Sequence, residues 1–166
     1  MTKPQKHSHC SYCGAPFPAE AGWPRTCASC SMVSYLSPSP VAVLLQPVDA
    51  GVLVIRRGIQ PHRGGLALPG GFIDHAEDWQ TAAARELFEE TGIRIDGDTV
   101  RERRVLSAPG GTLLIFGEAP PLRAADLPPF VPNHETLECL VITEPVPLAF
   151  DLHARVVREW FAERAR

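Results

Sequence analysis

The sequence predicts an α/β domain preceded by a small metal-binding ribbon. Three observations carry that expectation. Short β-rich apolar runs recur between residues 41 and 143, two helical stretches accompany them, and four cysteines near the start form two C-x-x-C pairs. With 166 residues, 45% hydrophobic and 21% charged, the chain can fill one core of ordinary size beside a small appendage and is not a disordered protein.

The ribbon comes first. Cys10-Ser-Tyr-Cys13 and Cys27-Ala-Ser-Cys30 are separated by 13 residues. Adjacent C-x-x-C pairs suit the tetrahedral thiolate shell of a structural zinc ion, with two disulfides as the rival reading. So short a segment cannot fold on burial alone, and zinc binding supplies the missing free energy. Gly14 eases the turn after the first pair, whereas Ser31 stands in the corresponding place after the second. His7 and His9 are spare ligands, but four thiolates already close the shell. Residues 1–33 therefore read as tail and ribbon, 34–40 (SYLSPSP) as a proline-stiffened linker, and 41–166 as the main domain.

VAVLLQ (41–46) and GVLVIRR (51–57) are β-rich runs around a turn at Pro47 to Ala50, which reads as a hairpin. A flexible loop follows at Pro61 to Gly65, then LALPG leads into a helix over roughly 78–91. Strands are expected at 101–107 and 112–118, turning at Pro109-Gly110-Gly111. A proline-rich loop spans 119–132, LECLVIT (137–143) is a further strand, and a terminal helix occupies 151–164. In that helix Leu152, Val156, Trp160 and Phe161 repeat at helical spacing. Cys139 stands alone in an apolar run and reads as core.

The central helix carries the chemistry. Glu86, Glu89 and Glu90 fall within an arc of about 100° on an α-helix, and three carboxylates on one face repel unless a cation sits among them. A hard divalent ion with oxygen ligands is the natural partner. Ala83, Ala84 and Leu87 form the opposing apolar face, and Arg85 lies four residues before Glu89, within reach of its carboxylate. Asp78 is the expected N-cap and Gly92 the helix stop. Pro69-Gly70-Gly71 lets the backbone approach closely, so a carbonyl there can join the metal shell.

Gly71, five residues, Glu77, seven residues, then Arg85-Glu86-Leu87-x-Glu89-Glu90-x-Gly92-Ile93 resembles the signature of the Nudix hydrolases without a gap or substitution. The resemblance implies an α/β/α sandwich around a mixed sheet and hydrolysis of a nucleoside diphosphate linked to another moiety. It also implies magnesium or manganese held by Glu86, Glu89, Glu90 and the Gly71 carbonyl, with Arg85 and Glu77 in support. Relatives place an additional metal-binding glutamate near Glu138; Glu135 and Glu118 are the alternatives. Arg56, Arg57 and Arg63 are candidates for the substrate phosphates, although strand alternation sends Arg56 and Arg57 to opposite faces.

The ribbon is similar to that of NADH pyrophosphatases and their shorter relatives. The SQPWPFP array of those enzymes is missing, and VLSAPGGTLLIFG stands in its place. The expected substrate is therefore a dinucleotide such as NADH or FAD, or ADP-ribose or a nucleotide sugar. A nucleoside triphosphate pyrophosphatase and a non-catalytic nucleotide sensor are the alternatives. Net charge is −3, and Arg25 is the sole cation between Cys10 and Cys30, so nucleic acid is not an expected partner. The sequence shows no apolar run of membrane length and no signal-type start, which predicts a cytoplasmic protein, with a homodimer as a candidate assembly.

Overall fold

The computed structural model describes residues 5–165, so part of the expected tail (1–4) lies outside the described residues. Two compact units emerge, Met1–Pro38 and Ser39–Arg166.

The first unit consists of two matching knuckles and a two-stranded ribbon, β1 (Arg25–Thr26) antiparallel to β2 (Val33–Ser34). In the first knuckle Gly14 N donates to Cys10 O (3.0 Å) and Cys10 N to Ala15 O (2.8 Å). The second repeats the pattern, with Ser31 N to Cys27 O (2.9 Å) and Cys27 N to Met32 O (2.9 Å). The turn geometry is thus independent of glycine, since Ser31 adopts φ 60° where Gly14 has φ 75°. The Arg25 guanidinium covers Trp23 (4.4 Å) and Phe17 (5.5 Å), giving the ribbon a minimal core of its own.

The second unit is an α/β/α sandwich. Its mixed sheet runs β7 (Gly70–Phe72), β3 (Ser39–Leu45), β9 (Thr112–Glu118), β8 (Arg101–Ala108), with β3 and β9 parallel and the other pairs antiparallel. An antiparallel sheet runs β10 (Thr136–Ile142), β5 (Gly51–Arg57), β4 (Pro47–Val48), with β6 (Leu66–Ala67) also on β5. Helix α1 (Trp79–Thr91) covers one face and α2 (Asp151–Arg164) the other. Strand alternation divides the core accordingly. Val43, Leu45, Val52 and Val54 pack with Val156, Val157 and Trp160 of α2, whereas Ala42, Leu44 and Leu53 pack with Ala82, Ala83 and Leu87 of α1. Both faces of these strands are buried, which is why they read as continuous apolar runs.

The expected hairpin between 41–46 and 51–57 does not form. β3 pairs with β7 and β9, and only the two-residue β4 turns back onto β5. The chain changes sheets at Gln46, whose fully buried amide donates to Pro47 O (2.8 Å) and Pro120 O (2.9 Å). Pro47 has no N–H with which to continue β3's ladder. The hairpin expected across Pro109-Gly110-Gly111 does form, as β8 and β9. No helix among the described residues is long and apolar enough to cross a membrane.

Candidate active site and cysteine centre

Helix α1 starts where Asp78 caps it, accepting from Thr81 N (2.9 Å) and Thr81 Oγ1 (2.8 Å). It stops at Gly92, whose left-handed backbone (φ 78°) lets its N–H reach Phe88 O (2.8 Å). Between these ends Ala82, Ala83 and Leu87 are buried, so Arg85, Glu86 and Glu89 are turned toward the loop that carries Gly70 and Gly71.

Arg85 organises this face. Its Nε and one terminal nitrogen engage both Glu77 oxygens at 2.9 Å, and that nitrogen also reaches Phe72 O (3.0 Å). The other terminal nitrogen donates to Glu86 Oε1 (2.7 Å) and Glu89 Oε2 (3.1 Å). Hydrogen bonds from Arg85 hold the Glu77 carboxyl below its ordinary range. Glu77 is therefore the principal partner of Arg85, and the i,i+4 contact with Glu89 is the longest of the set.

Glu90 is 5% exposed, and its Oε2 accepts from Gly70 N (2.9 Å). Burial pushes its carboxyl up to about 8, and burial also raises Glu86. The negative charge of Glu135 raises both further, which puts Glu135 within electrostatic reach of the pair. Its backbone is tightly held: Gly58 N donates to Glu135 O (2.6 Å), and Asn133 Oδ1 accepts from Glu135 N and Thr136 N (2.8 Å each). Asn133 Nδ2 in turn reaches Glu89 O at the end of α1 (3.0 Å).

Glu138 forms an ion pair with Arg56 (2.8 Å). Arg56 also reaches Gly64 O (3.0 Å), whereas Arg57 points to a cavity, bound to Pro61 O (2.9 Å) and set over the Phe150 ring at 5.1 Å. Arg63 is exposed and has no ion pair among the described residues. Glu118 links Arg103 (2.8 Å), Arg164 (3.0 Å) and Trp160 Nε1 (3.0 Å), tying α2 to the sheet. Burial, with the charge of Glu90 beside it, pushes the Cys139 thiol up to about 12, so it is an inert packing group.

The donor set suits a hard divalent cation. It consists of carboxylates with too little local positive charge, beside a backbone carbonyl. Gly71 supplies the cradle, because a Cβ there would lie 2.5 Å from Glu86 Cδ and 2.6 Å from its Oε2. Among the described residues, however, only the four cysteines are already gathered as metal-ligand atoms, with all four Sγ within 4.8 Å of one another. Cys10 and Cys30 lie 3.7 Å apart and Cys13 and Cys27 3.6 Å apart. Four ligands at about 2.3 Å from zinc would be separated by about 3.8 Å, so the cluster has the dimensions of a closed tetrahedral site. The cysteines are unlinked. Backbone amides of Cys13 and Tyr12 lower the Cys10 thiol and those of Cys30 and Ser29 lower Cys27, whereas burial and the neighbouring sulfurs push Cys30 up to about 12.

Beside Gly70 and Gly71 opens a cavity of about 700 Å³, lined also by Arg57, Phe72, Phe150 and His153. Residues 37–113 match the family model of the NUDIX domain. The chain carries a Nudix domain. It is 34% identical over 93 residues to the NAD-capped RNA hydrolase NudC of Edwardsiella ictaluri, a match covering 55% of this chain and 35% of that protein. The aligned stretch thus spans about a third of the relative's length. A Nudix hydrolase of Nitrosomonas europaea superposes with a TM-score of 0.77 at 29% identity, over 95% of this chain and 92% of that one. A bifunctional NMN adenylyltransferase/ADP ribose pyrophosphatase of Francisella tularensis, complexed with AMP and a manganese ion, gives a TM-score of 0.55 at 25% identity, over 64% and 34% of the two chains.

Proposed function

We propose that this chain is a divalent-metal-dependent pyrophosphohydrolase. Its substrate would be a nucleoside diphosphate linked to a second moiety, as in a dinucleotide, ADP-ribose or a nucleotide sugar. The observation that carries the reading is the acidic face of α1, set against the Gly70–Gly71 loop, which itself lines a cavity of about 700 Å³. The names of the relatives, an NAD-capped RNA hydrolase and an ADP ribose pyrophosphatase, favour a diphosphate bridge over a triphosphate.

In this reading Glu86, Glu89, Glu90 and the Gly71 carbonyl hold magnesium or manganese. When bound, the metal neutralises the diphosphate oxygens and lowers the cost of charge on the leaving oxygen. The chain's own groups do the rest. Arg85 fixes the α1 carboxylates, and Arg57 faces the anion from the cavity wall. Glu135, clamped by Gly58 and Asn133, accepts a proton from water as its oxygen bonds to phosphorus. The bridging P–O bond breaks, and two phosphate monoesters leave. Cys10, Cys13, Cys27 and Cys30 hold a structural zinc ion.

The test measures monoester release from ADP-ribose, NADH, FAD, a nucleotide sugar and a nucleoside triphosphate with magnesium or manganese. Glu135→Gln, Glu138→Gln and Glu89→Gln are run in parallel. The expected result is turnover of a diphosphate-bridged substrate, reduced about 10²–10⁴-fold by Glu135→Gln and little changed by Glu138→Gln. Binding without hydrolysis across the panel would overturn the enzymatic assignment. Loss in Glu138→Gln alone would move the proton acceptor to Glu138.

A further inference from the structure

Strand β10 (Thr136–Ile142) is an edge of its sheet, with β5 as its sole strand partner among the described residues. The direction of its backbone groups follows from β5. Arg57 N donates to Gly65 O, Arg57 O accepts from Gly64 N, and Leu53 N donates to Gln46 O. The odd-numbered residues of β5 thus address the β4 and β6 side, whereas Gly58 N turns the other way, to Glu135 O. Alternation points Val52, Val54 and Arg56 at β10, where the register sets them opposite Ile142, Leu140 and Glu138. The N–H and C=O groups of Cys139 and Val141 are left directed out of the sheet, and no hydrogen bond among the described residues engages them.

The same stretch leaves apolar surface uncovered. Leu140 and Ile142 pack into the α2 core, which turns Cys139 and Val141 to the opposite face, where Val141 remains 39% exposed.

The other edges are short, covered or charged. β7 has three residues, and β4 has two, with Leu122 bridging its outer side through Leu122 N to Pro47 O and Asp49 N to Leu122 O. Ala149 N donates to Leu66 O and covers β6. β8 carries Arg101, Glu102, Arg103 and Arg104 and a register shift of its own, devices that keep one edge strand from pairing with another. From Cys139 to Ile142, β10 has no charge, no proline and no register shift, and the neighbouring Glu138 is neutralised by Arg56 across the ladder.

We propose that β10 is a homodimer surface, at which two copies of this chain pair their edges antiparallel about a two-fold axis through Leu140. Antiparallel pairing is self-complementary, so one edge supplies both halves of an isologous contact. In this register Cys139 of each copy exchanges both backbone hydrogen bonds with Val141 of the other, which satisfies all the outward groups of these two residues. Leu140 faces its own counterpart and Glu138 lies opposite Ile142, so no like charges meet. An axis through Glu138 would oppose two carboxylates. An axis through Cys139 would draw in Leu137, which the register shift leaves out of step. The contact is short, at the weak end of specific interfaces, with a dissociation constant of about 1–100 µM. Pairing consumes the edge, so assembly stops at two copies.

The test is sedimentation equilibrium of the full chain kept in zinc, over about 5–500 µM to bracket that constant. A monomer–dimer equilibrium is expected, and Val141→Lys, which places a charge on the edge, should weaken it at least about tenfold. The axis is read by Leu140→Cys in a Cys139→Ser background. Two thiols directly opposite, with Cα atoms about 4.5 Å apart, should form an intermolecular disulfide with diamide, which takes up the two electrons and two protons. The Cys139→Ser parent should stay uncrosslinked. Should the variants not fold, hydrogen exchange of the wild type decides. The amides of Cys139 and Val141 should slow at least about threefold from the lowest to the highest concentration, while that of Leu140, bonded to β5, stays constant. A monomer at every concentration, a larger assembly, a dimer indifferent to Val141→Lys, or concentration-dependent protection elsewhere but not at Cys139 and Val141 would overturn the proposal.

Discussion

Replacing Gly58 by alanine isolates the placement of Glu135 from the proton transfer proposed for it. Gly58 follows β5, and its N–H holds Glu135 O at 2.6 Å. A Cβ there would press into the His134 carbonyl oxygen and lie 3.0 Å and 3.1 Å from the carbonyl carbons of His134 and Glu135. All three are backbone atoms, so no side chain can swing aside. Gly58 does not have positive φ, so alanine adds no torsional strain and the effect is steric. Relief requires the 134–135 backbone to retreat on the order of 1 Å, a misplacement that costs about 10²-fold at a reacting centre. Steady-state kinetics on ADP-ribose with saturating magnesium should show kcat reduced about 100-fold with KM nearly constant. Overpacking also lowers stability by about 1–3 kcal/mol, so rates are compared well below the melting temperature. If the loss acts through Glu135, Gly58→Ala should cost almost nothing more in a Glu135→Gln background. A kcat within threefold of wild type, or losses that multiply in the double variant, would refute the reasoning.

Three further outcomes are expected. Glu118→Ala releases Arg103 and Arg164, both partly solvated, and leaves the indole N–H of buried Trp160 without its acceptor, so it should lower unfolding free energy in urea by about 1–3 kcal/mol with kcat unchanged. Cys27→Ser should release zinc, measured by metal analysis, and lower the melting temperature; loss of zinc with an unaltered Tm would remove the structural role. His153 contributes to acid sensitivity with a definite sign. Its folded pKa lies below the ordinary histidine value, so the unfolded chain binds the extra proton. Its contribution is complete above about pH 6.5 and falls as pH drops toward about 3, at up to about 1.4 kcal/mol per pH unit. His153→Gln should flatten that part of the denaturation profile.

The helices and the cysteine knuckles were legible because their determinants are local. Asp78, the apolar positions Ala83 and Leu87, and Gly92 define α1 within its own sequence, although Ala82, not the expected Ala84, completes the buried face. The terminal helix is equally self-declaring, from its apolar spacing. Sheet membership was not legible. VAVLLQ and GVLVIRR are apolar on both faces, so neither alternation nor composition says which strand lies beside which. Their separation is decided at Gln46, by hydrogen bonds to Pro47 and to Pro120, the latter 74 residues away.

The same distinction bears on the choice between Glu138 and Glu135. Strand parity alone places residues three apart on opposite faces, but it does not say which face meets α1. That choice is made by partners distant in sequence: Arg56 captures Glu138 across the β5–β10 ladder, and Gly58 captures the backbone of Glu135. The ladder also shifts register between Thr136 and Glu138, so the strand's alternation does not extend unbroken back to Glu135. One local sign was nonetheless present. Asn133 precedes Glu135 by two residues and Thr136 by three, the spacing at which an asparagine side chain accepts both following amides and fixes a turn. The turn that carries Glu135 is thus pinned to Gly58 and anchored to the end of α1 through Glu89 O, while the Glu135 carboxylate itself reaches exposed His134 (3.1 Å). The charge of Glu135 acts on both Glu86 and Glu90, and this, not side-chain rigidity, supports Glu135 as the proposed proton acceptor.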